Sequence, residues 1–590
     1  MTNNAFDPGQ SIADMDDEQL PIPPHKLHGW GHFAGLYAAE HVAATEFVIG
    51  ATFVALGAGI WDILIGLLIG NTLAVLSFAL ITSPIAVDTR LSLYTYLNRI
   101  AGDSMSRLYN VANVLIFGVI SAAMITVSAT AVRALFDIPP QVHPYPTSVL
   151  FVIVAIAVAV IVVLVAVFGF NAVTEFASIC APWLMVMFTV GGMVLLPALS
   201  EFITGYTTLT SFSDFVQIAG ATVWTGLNAE GKPGIGMLEV AGFAWAANTF
   251  SHFGLIDMAL LRYAKKKSYG LATSTGMMFG HYVAWISAGL MGAATAAMTK
   301  SSIMVVDPGE VAFYALGASG FVIVVVAGWT TANANLYRAG LAAQAVFPEM
   351  PRTKVTLLVG LAVVVASAFP FIYQSMLPLL TYAGLILVPV GGIVFAEHHI
   401  FPRIGFTRYW ARYKGLQHSV PAIGTWAISL VFGFGLDALN VIPFYYLFLP
   451  TWFVSIAAYI VLAKRYGASE SYPEGEQAER VFRARVDEFH AQQAATERHE
   501  PVKDASLLSK GIKAIYIIVG LAVPVVLAWR VLFNSPDLYV YYVNLEQFYD
   551  VSIWCTLVYF VFAYWDLKRS KALQRSGMPG ARPSPQLKDA

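Results

Sequence analysis

The chain has 590 residues, of which 57% are hydrophobic and only 12% charged, with a formal net charge of −2. A soluble domain carries about 25% charged residues, so this balance excludes an ordinary water-soluble protein, and its neutrality excludes the basic field of a nucleic-acid binder. The charges gather between apolar blocks of roughly 20 residues, the length that spans a bilayer as helix, and the short alternating segments of a membrane β-barrel do not occur.

Residues 1–29 are acidic and proline-rich, with Asp14, Asp16, Asp17 and Glu18 followed by Pro21, Pro23 and Pro24. They lack the basic start and apolar core of a signal peptide, and read as a disordered cytoplasmic tail. Fourteen spans follow, at about 31–58, 61–87, 107–134, 147–169, 174–200, 239–261, 271–299, 312–343, 354–374, 377–399, 420–436, 443–464, 511–534 and 550–567. Prolines punctuate them, with Pro139, Pro140, Pro144 and Pro146 after the third and Pro348 and Pro351 after the eighth. With the N-terminus inside, the cytoplasmic loops hold Arg90, Arg99 and Arg107, then Arg262 and Lys265–Lys267, then Arg352 and Lys354, then Arg403, Arg408, Arg412 and Lys414. The opposite loops hold little more than Lys232 and Lys300, with Arg133 and Arg530 near span ends. This is the positive-inside pattern, and it places both termini in the cytoplasm of a protein of the cell membrane.

The domain division that results is a tail over 1–29, a transporter domain over 30–464, a charged cytoplasmic segment over 465–510, two further spans over 511–567 and a tail over 568–590. The Thr-, Gly- and Ser-rich stretch 201–238 is expected to be an external loop. Within 465–510, Glu476–Arg498 has helix-forming composition and mixed charge, and reads as a solvated cytoplasmic helix. Cys180 and Cys555 lie in apolar spans and give neither a disulfide framework nor a metal spacing.

Two spans are interrupted by polar residues. The first carries Glu40, His41 and Glu46; the sixth carries Asn248, Thr249, Ser251, His252 and Gly254. They stand five spans apart, an odd number, so the two halves have opposite orientation. A pair of interrupted helices at matching places in two halves is the sequence mark of a transport site. The eighth span holds a third polar run, from Trp329 through Thr330, Thr331, Asn333 and Asn335 to Tyr337. Polar groups at membrane depth must face protein, a cation or a ligand.

These residues carry a resemblance. The eighth-span run with Ala339, Gly340 and Leu341 is similar to cytosine permeases; Pro389-Val390-Gly391-Gly392 with Glu397, and Trp61-Asp62 with Leu68-Ile69-Gly70-Asn71, are similar as well. Over about 29–464 the chain resembles the nucleobase–cation symporter-1 family, the purine and cytosine permeases. The resemblance implies an all-α polytopic membrane protein of LeuT fold, an inverted repeat of 5+5 transmembrane helices with about four additional C-terminal helices. It implies a secondary active transporter that imports a nucleobase or related heterocycle by cation symport.

Asn335 offers a donor and an acceptor that match a nucleobase edge, and the resemblance makes it a substrate contact. Asn333, about 200° round the helix, is a second candidate. The resemblance puts an aromatic at the sixth-span break, where Phe243 or Trp245 would stack on the substrate, with His252 beside them. In the third span the family's Trp and Gln are missing, which leaves Phe117 and Ser121 as stand-ins. Thr330 and Thr331 can give hydroxyl oxygens to a hard cation. The resemblance joins to them the carbonyls of Ala327, Ala38 and His41 as a sodium site. Asp257 and Arg262 are similar to the family's acidic–basic pair at the cytoplasmic end, at a longer spacing.

Glu40 and Glu46, with His41 and His252 nearby, are candidate proton carriers, so the coupling ion is sodium or a proton. Adjacent Glu397, His398 and His399 do not converge on one point of a helix, and no cofactor or metal beyond sodium is expected. No His-Glu-x-x-His, Gly-x-Ser-x-Gly or phosphate loop occurs, so the chain does not read as an enzyme. The expected partners are a small heterocyclic substrate and the lipid bilayer, with no nucleic acid; no protein partner is legible. The rival readings are a LeuT-fold transporter of another small polar solute, such as an amino acid, and a sensor of the same fold that does not transport.

Overall fold

The computed structural model describes residues 12, 15, 19–168, 170–303, 306–496 and 506–576. The acidic run at Asp14, Asp16, Asp17 and Glu18, and the C-terminal tail from 577, lie outside the described residues. The structure is helical, and no strand occurs among the described residues. In chain order the helices are α1 (Trp30–His41), α2 (Thr45–Ala55), α3 (Ile60–Thr89), α4 (Leu93–Ala134), α5 (Val149–Phe168), α6 (Phe170–Thr204), α7 (Phe212–Thr222), α8 (Met237–Ala246), α9 (Thr249–His252), α10 (Met258–Leu261), α11 (Lys267–Thr299), α12 (Pro308–Leu316), α13 (Ala318–Val346), α14 (Arg352–Ala366), α15 (Met376–Arg403), α16 (Val420–Ala438), α17 (Phe444–Tyr466), α18 (Pro473–Thr496), α19 (Leu507–Phe533) and α20 (Leu538–Ser576).

Eleven of these segments contain helix long and apolar enough to cross a membrane: α3 to α6, α11, α13, α15 to α17, α19 and α20. The first, sixth and ninth expected spans are built from shorter pieces. The first breaks at Val42–Ala44 between α1 and α2, and the sixth at Ala247–Asn248 and again at 253–257, where Leu255 takes a φ of 63°. The breaks fall among the polar residues because those side chains give the freed backbone polar neighbours that an all-apolar span would lack.

The first five spans are α1/α2 to α6, and the next five are α8–α10, α11, α13, α14 and α15. Spans one, two, six and seven pack on one another, through α3 on α8 and α2 on α11, while α4 lies along α13 and α5 against α4 and α14. Small residues allow the close approaches inside the first group. A Cβ at Gly50 would stand 2.5 Å from the carbonyl oxygen of Trp285, and one at Gly70 2.3 Å from that of Ala241.

Two spans are longer than their apolar runs. Helix α4 starts at Leu93, capped by Ser92, because Gly102 (φ 76°) turns the chain inside the helix and seats it on the carbonyls of Leu416 and Gln417. Helix α20 extends to Leu538 because its tyrosines bind other helices through carbonyls: Tyr541 to Val194 (3.2 Å), Tyr559 to Ile179 (2.7 Å), and Tyr549 to Tyr314. With α19 it packs on α6, so the two last spans cover the fifth.

Helix α18, expected to be solvated, is solvated on one face only. Glu479, Phe482, Val486 and His490 form a buried stripe at helical spacing.

Candidate functional site

Helix α1 ends at His41, so its last four carbonyls, from Ala38 to His41, have no partner within the helix. The structure turns the carbonyl of His41 toward α11: a Cβ at Gly280 would lie 2.3 Å from it. The His41 ring bonds the carbonyl of Tyr37 through Nδ1 at 2.9 Å and meets the His281 ring edge-on at 5.1 Å. On α13, Thr330 donates to Val326 (2.8 Å) and to Ala327 (3.3 Å), one turn back. Thr331 is half-buried, and its carbonyl accepts from Asn335 Nδ2 at 2.8 Å. The proposed cation ligands are thus on the two expected elements, with Thr330 and the Ala327 carbonyl bonded to each other.

Asn333 donates to the carbonyl of Trp329 at 2.9 Å, and its buried Oδ1 has no hydrogen-bond partner. A buried unpaired amide oxygen costs about 1–3 kcal/mol, so a group that donates to it has a ready return. The third span faces α13 with a stripe at four-residue spacing: Tyr109, Asn113, Phe117 and Ser121. Ser121 donates to the carbonyl of Ala332 at 2.9 Å. Tyr109 and Asn113 are buried beside each other on this stripe.

The sequence candidates from the sixth span face elsewhere. Trp245 donates to Ser77 on α3 at 3.0 Å and packs edge-on against Phe448. Phe243 packs on Phe53, Phe444 and Tyr445. His252 bonds the Trp245 carbonyl through Nε2 at 3.2 Å and meets Phe78 edge-on. The candidate proton carriers are also separated. Glu46 accepts from the indole of Trp285. That indole stacks on His281 at 4.3 Å, and His281 lies 3.3 Å from both Asn71 Oδ1 and Asn248 Nδ2.

Glu40 pairs with a residue the sequence reading passed over, Arg338 of α13, at 2.5 Å. The guanidinium also lies over the Phe117 ring, 5.6 Å from its centre. Glu40 and Arg338 keep 24% and 25% of their side-chain surface accessible, so the pair borders open space. A lone arginine inside an apolar span needs a carboxylate partner. The unmatched glutamate on the first broken helix was the available signal.

The arrangement of helices is similar to that of solved transporters. Mhp1 in an inward-facing conformation superposes with a TM-score of 0.60 at 15% identity, covering 80% of this chain and 98% of Mhp1. Mhp1, described as a nucleobase-cation-symport-1 family transporter, in a closed conformation with bromovinylhydantoin bound gives 0.58 at 15% identity, covering 80% and 99%. The chain has the LeuT fold.

At that identity the likeness establishes the fold and nothing finer. No family model matches the chain, and no curated protein matches it. Spans one, three and eight are joined by the Glu40–Arg338 pair, by Arg338 over the Phe117 ring and by Ser121 on the carbonyl of Ala332, while Thr330, Asn333 and Asn335 bond carbonyls of their own helix. His252, Glu46 and the His41 ring lie in the packing of spans one, two, six and seven, and Phe243 and Trp245 also pack on α17.

Proposed function

We propose that this chain is a member of the nucleobase–cation symporter-1 family, a secondary active transporter that imports a nucleobase or related heterocycle by alternating access, coupled to sodium or protons. The observation that carries the reading is the polar stripe between two broken helices. Asn335 and Asn333 on opposite sides of α13, and Asn113, Phe117 and Ser121 on the facing stripe of α4, supply amide groups, a ring and a hydroxyl at the junction of spans three and eight, with the Asn333 oxygen unbonded. Flat heterocycles with alternating donors and acceptors complement such a set. Glu40 already neutralises Arg338, which argues against a carboxylate-bearing solute. Thr330 donates its hydrogen to the Val326 carbonyl and so keeps its oxygen lone pairs for sodium.

Under this reading both termini are cytoplasmic, residues 30–464 form the transporter unit, and the membrane is that of the cell. The test is uptake of radiolabelled cytosine, uracil, hypoxanthine and hydantoin into proteoliposomes, with and without an inward sodium or proton gradient. Gradient-driven uptake of one of them, lost in Asn335→Ala, is the expected result. Failure of all four under both gradients overturns the reading.

A further inference from the structure

Resting on the coupled-transporter reading, we propose that Asp257 is the proton-binding group of the coupling mechanism, held beside the Glu40–Arg338 pair where spans one, three, six and eight meet.

The first argument is a charge count. Two carboxylates, Glu40 and Asp257, surround one guanidinium. Among the described ion pairs, Arg338 is joined to Glu40, so the guanidinium charge is already balanced. Asp257, 3% exposed, lies within electrostatic reach of the same two groups without its own cation. The cluster therefore carries one negative charge too many. A buried surplus charge is unfavourable even after relaxation, and one proton removes it.

The second argument is what surrounds the carboxyl. From α1, Tyr37 and Glu40 face it; from α13, Arg338; and from its own span, Ser251, with Tyr109 of α4 within its electrostatic reach. The other charged groups at this end are turned elsewhere. Arg90, after α3, donates to the carbonyls of Arg262 and Ala264; Lys267 pairs with Asp88; Glu397 on α15 takes the Tyr409 amide and the Tyr459 hydroxyl. Arg262, five residues on, stands over the Tyr263 ring. The hydroxyls of Tyr37 and Ser251 hydrogen-bond the Asp257 carboxyl, and the second oxygen of Glu40 is buried without a hydrogen-bond partner, so the pocket holds polar groups able to meet either protonation state.

The step is simple in balance. A proton from water forms an O–H bond on one Asp257 oxygen, and the cluster passes from a charge of −1 to zero. Each position belongs to an element that alternating access must move or hold: Tyr37 and Glu40 to the first broken helix, Asp257 to the sixth, Arg338 and Tyr109 to the scaffold. Protonation therefore changes the attraction between those bodies.

The experiment uses the full chain in proteoliposomes on a solid-supported membrane, with a pH jump and no substrate. A transient current is expected in the unmodified protein, lost in Asp257→Asn and kept in Asp437→Asn at the far end of α16. A current kept in Asp257→Asn overturns the proposal, as does a current evoked by a sodium jump but not by a pH jump. If Asp257→Asn does not survive purification, Tyr37→Phe decides, because it alters the hydroxyl facing the same carboxyl. A pH midpoint moved by roughly one unit supports the site, and an unmoved one overturns it. Base uptake is scored separately. A pH-jump current without uptake of any base sinks the nucleobase reading and leaves the proton site standing. Base uptake with unchanged pH dependence in Asp257→Asn sinks the proton site alone.

Discussion

Asp214 is fully exposed, yet hydrogen bonds alone hold its carboxyl down to about 2. The hydroxyl and amide of Thr210, each at 2.7 Å, and the Ser211 amide at 3.0 Å, all donate to one oxygen, and the Ser211 hydroxyl caps the first turn of α7 in return. Because the folded value lies below the ordinary 3.8, the cap contributes fully above about pH 4 and is lost as the pH falls through about 2. Asp214→Asn should reproduce that loss at neutral pH: amide hydrogens over 210–222 exchange faster, and those of α13 do not change. Residues with local roles of this kind are legible in sequence. Arg338, His281 and Trp285 were not, because each lies inside an apolar span and acquires meaning from a partner more than 200 positions away. Asn335 was singled out by its amide and by the family resemblance of its span; that this amide bonds the carbonyl four residues back follows from the helix remaining unbroken there.

At the scale of elements, the two broken helices were readable because polar residues inside a span require somewhere to go. Helix α18 was readable only in part. Its mixed charge suggested a solvated helix, but Glu479 is 6% exposed and accepts from Arg412 at 2.9 Å and Arg483 at 3.0 Å, with Arg99 at 3.9 Å. Arg412 is pushed down to about 10, first by burial and then by Arg99, and stays charged at neutral pH. Phe482 lies under both arginines and packs with Val486 against Ile12 and Leu20 of the N-terminal segment. Glu479→Ala leaves Arg99 and Arg412 facing each other without their shared carboxylate. Removing one partner of a buried pair costs roughly 3–5 kcal/mol, so limited proteolysis within 473–496 should accelerate strongly while the transmembrane core stays intact.

At the scale of the molecule, the odd spacing of two broken spans made oppositely oriented halves legible, and the family resemblance supplied the LeuT fold that agrees with them. The docking of α19 and α20 on α6 was not, since helix association in lipid depends on side-chain fit and carries no periodic mark. Alternating access in this fold rocks one body against another around a fixed site. The structure divides accordingly, with α1/α2, α3 and α8–α11 in one group and α4, α5, α13 and α14 in the other. Helix α18 spans the division: it grips Arg99 of α4 and, through Phe482, the segment that leads into α1. In a background carrying Cys180→Ala and Cys555→Ala, a thiol cross-link between Leu20→Cys and Phe482→Cys should therefore stop transport, and reduction should restore it. A cross-link between Thr126→Cys and Ser367→Cys, whose native hydroxyl–carbonyl bond of 2.8 Å lies inside the scaffold, should leave transport running. Equal loss in both pairs would mean that α4 and α14 also move apart, and the two-body division would be wrong.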